Sequence, residues 1–85
     1  MCSTFNKIRK ILYEKFSFHY DQIELQTELE LQLGMDSREM LEFLVALEKN
    51  FSIEINFDEV DNLIEENSSL TIHDIVEYVE KNQLK

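Results

Sequence analysis

The sequence has no proline, no tryptophan, one glycine and one cysteine in 85 residues. With so few breakers, nothing interrupts the helical periods, and they can be read directly. A lone cysteine, Cys2, excludes a disulfide framework and a cysteine-built zinc site. Long apolar runs are also missing: the longest, Phe43 to Leu47, is far too short to span a bilayer. Lys7, Arg9 and Lys10 interrupt the first apolar residues, so no signal peptide is expected. Bases are scarce, with 8 Lys and Arg against 18 Asp and Glu, a formal charge of −10. Such a chain repels phosphate backbones, which excludes nucleic acid as a partner. A chain of this size buries only about 60% of its unfolded surface, leaving one thin core and little room for an enclosed active site. The expectation is one soluble, acidic, cytoplasmic and monomeric domain over residues 1–85, at 44% hydrophobic residues too apolar for disorder.

The charge that is present is unevenly placed. The first twenty residues hold four bases (Lys7, Arg9, Lys10, Lys15) and one acid, Glu14, whereas residues 21–80 hold seventeen acids and two bases. A surface so acidic reads either as a solvated face that keeps the chain soluble or as an electrostatic docking face for basic partners. Apolar spacing predicts helices over about 4–18, 37–50, 58–65 and 71–82, the third short. Ser3 and Thr4 are cap candidates for the first, and Thr71 for the last. Residues 19–35 read as a long loop pinned by Ile23, Leu25, Leu29, Leu31 and Leu33, with a helical turn near 27–32. Phe51 to Ile55 alternates like a strand but has no partner, and is expected as an extended connection. Asn67-Ser68-Ser69 reads as a break. The fold class is all-α, a small four-helix bundle with three main helices, a short third one and a long first loop.

The strongest helix signal follows Gly34-Met35-Asp36-Ser37, where Asp36 and Glu39 form a capping-box pair. At 100° per residue, Met40, Phe43, Leu44, Leu47 and Phe51 share the core face. Leu41 and Val45 flank that face and share an outer stripe with Ser37, Arg38 and Glu48, while Glu39 and Glu42 lie further round. A helix start offers unpaired N–H groups and a positive dipole end, which suit a phosphate attached there. By itself, Ser37 is no more than a first-turn residue behind an aspartate cap.

The stretch from Leu33 to Ile55, LGMDSREMLEFLVALEKNFSIEI, resembles acyl carrier proteins. Gly34, Asp36 and Ser37 fall on that family's Gly-x-Asp-Ser turn. Leu33, Leu41, Glu42, Ala46, Leu47, Glu48, Phe51, Glu54 and Ile55 fall on its flanking pattern, and the helix order over about 5–82 is similar. The resemblance implies a non-enzymatic carrier with 4′-phosphopantetheine, taken from coenzyme A by a phosphopantetheinyl transferase, on Ser37. Asp36 would support recognition by the transferase. The arm's thiol would hold acyl or aminoacyl groups as thioesters for enzymes of fatty-acid, polyketide or related biosynthesis. Loading ligases and synthase-type enzymes with basic patches would dock on Arg38, Glu39, Leu41, Glu42, Val45 and Glu48, extended by Asp58, Glu59 and Asp61. Arg38 departs from the apolar residue usual after the serine, and Asn56 stands where proline is common. Both departures point to a specialised stand-alone carrier.

Other chemistry has weaker support. His19 and His73 lie far apart, show no metal-ligand spacing and have no walls around them for hydrolysis, so neither a catalytic residue nor a metal site is expected. His73 is expected exposed near the start of the last helix. Asn56 to Asp61 lacks the glycine of a calcium loop. Tyr13, Tyr20 and Tyr78 read as partly buried packing residues. Cys2 is assigned no role. The rival from another class is an unmodified acidic adaptor that docks through Leu41 and Val45.

Overall fold

In the computed structural model, which describes residues 3–67 and 70–83, the order is α1 (Ser3–Phe16), α2 (Ser37–Phe51), α3 (Phe57–Asn67) and α4 (Ile72–Gln83). The chain is all-helical, as the spacing predicts, with extents of 31 × 28 × 22 Å. α1 packs on α2 and α4, and α4 also packs on α2. Ile8, Ile11 and Leu12 of α1 meet Phe43, Leu44 and Leu47 of α2 and Ile72, Ile75, Val76 and Val79 of α4 in one buried cluster. Each such side chain stabilises the fold by about 1.5–3 kcal/mol through burial alone. α3 joins this cluster through buried Val60, with Leu63 and Ile64 packed against it.

The helix ends correct the expected boundaries, and each has a local cause. α1 stops at Phe16 rather than 18 because Ser17 turns left-handed (φ 62°). Its N–H then donates to the Tyr13 carbonyl at 3.1 Å. Ser3 already lies within α1 and Thr4 is buried in its first turn, so neither precedes the helix as a cap. α2 takes in Phe51, and Ser52 in the left-handed region (φ 54°) ends it. Of the expected extended segment Phe51 to Ile55, Phe51 belongs to α2 and Ser52 to a turn, and residues 53–56 form an irregular connection. α3 spans 11 residues, against 12 for α4, so it is not a markedly short helix. Asn67 closes α3, and Ser68 and Ser69 of the expected break lie outside the described residues, as does Cys2.

The long loop is more ordered than its composition suggests. A single 3-10 turn at Tyr20–Gln22 was not foreseen, and a turn at 29–32 is closed by the Gln32 N–H donating to the Glu28 carbonyl at 3.0 Å. Ile23 and Leu29 are buried, but Leu25 and Leu31 are 39% and 71% exposed and pin nothing. Ile23 and Leu29, with Leu33 packed against the core, pin the loop as expected, and backbone bonds fasten it further. Glu28 and Thr71 form an antiparallel bridge, flanked by Leu29 N–H to Leu70 O at 2.9 Å and Ile72 N–H to Thr27 O at 3.0 Å. The His73 N–H adds a bond to Leu25 O at 2.9 Å. Tyr13 and Tyr20, expected half-buried, are exposed and stack on each other at 5.2 Å, with the Arg9 guanidinium over the Tyr20 ring.

Candidate functional site

The start of α2 is built by a turn and a cap. Gly34 takes a left-handed conformation (φ 70°), which glycine adopts without the penalty of a Cβ. Met35 is then buried, and its N–H donates to the Leu29 carbonyl at 3.1 Å. Asp36 caps the helix: its Oδ1 accepts the Glu39 N–H at 2.9 Å, while Glu39 Oε1 accepts the Asp36 N–H at 3.2 Å. These bonds satisfy Asp36 and Glu39. The N–H groups of Ser37 and Arg38 are those that a helix start leaves without an internal acceptor. Both side chains are exposed, so the Ser37 hydroxyl stands in solvent at the positive end of a 15-residue helix, with Arg38 the next residue in the chain.

From there the outer face of α2 runs through Leu41, 52% exposed, and half-buried Val45. An open groove of about 690 Å³ follows this face, floored by Phe16, Leu41, Val45 and Ala46. Lys15 and Lys49 line it together with Glu14 and Glu42, so its charges balance. The structure separates the acids read as one docking group. Glu42, Asp58, Glu59 and Asp61 are exposed. Glu39 is tied into the cap, and Glu48 is turned inward: its Oε2 accepts the Ile55 N–H at 2.8 Å and fixes the exit from α2. Glu59 accepts a hydrogen bond from the Tyr78 hydroxyl at 3.2 Å.

A family profile described as "Phosphopantetheine attachment site" matches residues 6–79 of the chain. An "Acyl carrier protein" of Campylobacter concisus (strain 13826) is 30% identical over 79 residues, covering 93% of this chain and 95% of that one. The chain belongs to the acyl carrier protein family. Carrier proteins of Helicobacter acinonychis (strain Sheeba; 30% over 80 residues, 94% and 95% covered) and Trieres chinensis (29% over 82 residues, 96% and 95%) are also similar. The prosthetic group of this family is 4′-phosphopantetheine. The start of α2 suits such a group in this carrier, with an exposed hydroxyl, two N–H groups open to a phosphate, and an exposed arginine as the next residue. Among the described residues, no helix is long and apolar enough to cross a membrane.

Two features of the carrier escaped the sequence. Tyr78 is the pivot between α3 and α4: its hydroxyl accepts the Asn56 N–H at 3.0 Å and donates to Glu59. Burial raises its pKa above the usual tyrosine value and the Glu59 charge adds to this, against the opposing Asn56 bond. Such a contact, spanning 22 residues, leaves no trace in local periodicity. Asn56, where the family commonly has proline, caps α3 with its Oδ1, which accepts the N–H groups of Asp58 at 3.0 Å and Glu59 at 3.2 Å. His73 is exposed as expected and lies 3.7 Å from Glu77 one turn on. One donor atom each from His73, Asp74 and Glu77 falls within 4.8 Å, but Asp74 already accepts the Thr71 N–H and acts as half of the α4 cap.

Proposed function

We propose that Ser37 of this carrier bears 4′-phosphopantetheine as a phosphodiester and that the arm's thiol carries acyl or aminoacyl intermediates as thioesters. The observation that carries this reading is the exposed Ser37 hydroxyl on the first residue of α2, directly behind the Asp36–Glu39 capping box. The transferase joins the Ser37 oxygen to the phosphate of coenzyme A and releases adenosine 3′,5′-bisphosphate. Asp36 helps the transferase to recognise the turn. The chain itself catalyses nothing; tethering holds the intermediate at high effective concentration near whichever enzyme docks.

Docking uses the outer face of α2. Leu41 and Val45 supply apolar contact, and Glu42 with Glu39 attracts basic patches. Asp58, Glu59 and Asp61 extend the acidic surface along α3. Glu48 contributes less than its position on the helical wheel suggests, because its carboxylate is already bonded to Ile55. Arg38 puts a cation amid these acids and selects partners that present an acid opposite it. Fatty-acid, polyketide or a related biosynthesis is the setting, with Arg38 favouring a specialised pathway.

Intact-protein mass spectrometry after incubation with coenzyme A, magnesium and a broad-specificity transferase tests the site. Wild type is expected to gain one phosphopantetheine and Ser37→Ala none. A folded wild type that gains nothing from more than one transferase returns the chain to the unmodified-adaptor reading.

A further inference from the structure

We propose that the groove between the C-terminal end of α1 and the outer face of α2 is a resting berth for the prosthetic arm; this rests on attachment at Ser37. Ser37, Leu41, Val45 and Lys49 follow one another at steps of four residues, a continuous row along one side of α2. At 1.5 Å per residue, Leu41, Val45 and Lys49 lie about 6, 12 and 18 Å along the axis from Ser37. The arm runs through roughly thirteen bonds from phosphorus to sulfur, about 16 Å extended at the rise per bond of an extended chain. Laid along this row, its dimethyl branch comes alongside Leu41 and its thiol reaches the far end of the groove, between Val45 and Lys49.

The chemistry of the groove agrees with its length. Beyond the phosphate the arm is uncharged, with two amides and a branched alkyl segment. The groove offers an apolar floor and a balanced set of charges, which suit a neutral chain better than an anion. Asn50 stands at the far end with its Nδ2 already donating to the Ala46 carbonyl at 2.8 Å, so its Oδ1 remains to accept an amide N–H. Arg38 lies on the same side of the helix as Val45, and its cation draws the phosphate toward the groove. Covering Leu41 and Val45 removes apolar surface that folding leaves exposed.

The berth and the docking face share Leu41 and Val45. A resting arm therefore screens the docking face, and a partner enzyme must displace the arm to bind. The test uses holo-protein with Cys2→Ser and a nitroxide joined by a disulfide to the arm thiol, then the only thiol present. In amide proton–nitrogen spectra, Lys15, Phe16, Lys49 and Asn50 are expected to lose their cross-peaks, and Leu41→Glu to restore them. Broadening centred on Ile53 to Leu63, or a weak halo confined to residues 36–39, overturns the berth. A failure of attachment at Ser37 shows itself earlier, as a missing phosphopantetheine in the mass spectrum. A mass gain without broadening in the groove refutes the berth alone.

Discussion

Glu48 is the residue whose role the structure changes most, and its replacement makes a quantitative test. Its Oε2 accepts the Ile55 N–H at 2.8 Å from a half-buried position, and its carbonyl accepts the N–H groups of Ser52 and Ile53. Hydrogen bonds to a charged group contribute about 1.5–3 kcal/mol, and partial exposure places this one near the lower end. Glu48→Ala also leaves the N–H of Ile55, a buried residue, without its acceptor. The expected loss is about 1.5 kcal/mol, which for 85 residues lowers the thermal midpoint by roughly 6–12 °C. Glu48→Gln keeps a carbonyl acceptor and should lose less than half as much. Glu42→Ala, on an exposed side chain of the same helix, is expected to stay within about ±0.5 kcal/mol. Circular dichroism melts of the three variants decide the matter. Equal midpoints for Glu48→Ala and Glu42→Ala would refute the anchoring role and return Glu48 to the docking face.

Two further outcomes follow from the geometry. Tyr78→Phe removes both an acceptor for Asn56 and a donor to Glu59, and should cost about 1 kcal/mol in a urea melt at neutral pH. Because the pKa of Tyr78 is raised above 10.0, its contribution is fully present below that pH and declines as pH climbs through the folded-state value. The gap between wild type and Tyr78→Phe should therefore shrink as pH rises above 10.0; a gap that widens contradicts the assignment. Gly34→Ala meets open space, with nothing within 4 Å of the added Cβ, so its cost is conformational only, about 1–2 kcal/mol. Chemical denaturation measures it, and an unchanged midpoint would show that the turn does not need its positive φ.

The parts of this fold that obey local rules were legible in the sequence. The Asp36–Glu39 pair, three residues apart, is formed, and Thr71 caps the last helix by accepting the Asp74 N–H. The period placing Met40, Phe43, Leu44, Leu47 and Phe51 on one face names side chains that are all buried. Ala46 is buried as well, from the far side of the wheel, because it lines the floor of the groove toward α1. The left-handed turns at Ser17 and Ser52 were not legible, since serine is not a residue that announces a positive φ. Leu25 and Leu31 are apolar in type, but residues 19–35 carry no clean period that says which way they face, and both turn to solvent. The candidate site was visible as a motif, whereas the inward turn of Glu48 depends on a bond seven residues away across a bend.

The bridge between Glu28 and Thr71 sets an order on the life of the molecule. The turn that presents Ser37 hangs from Leu29, and Leu29 is held by Leu70, thirty-three residues after that serine. During synthesis, Ser37 leaves the ribosome well before Leu70, so the capping box of α2 can form first and the loop before it is clamped only later. On the attachment proposed at Ser37, a chain truncated before Leu70 is therefore expected to gain less phosphopantetheine than the full chain.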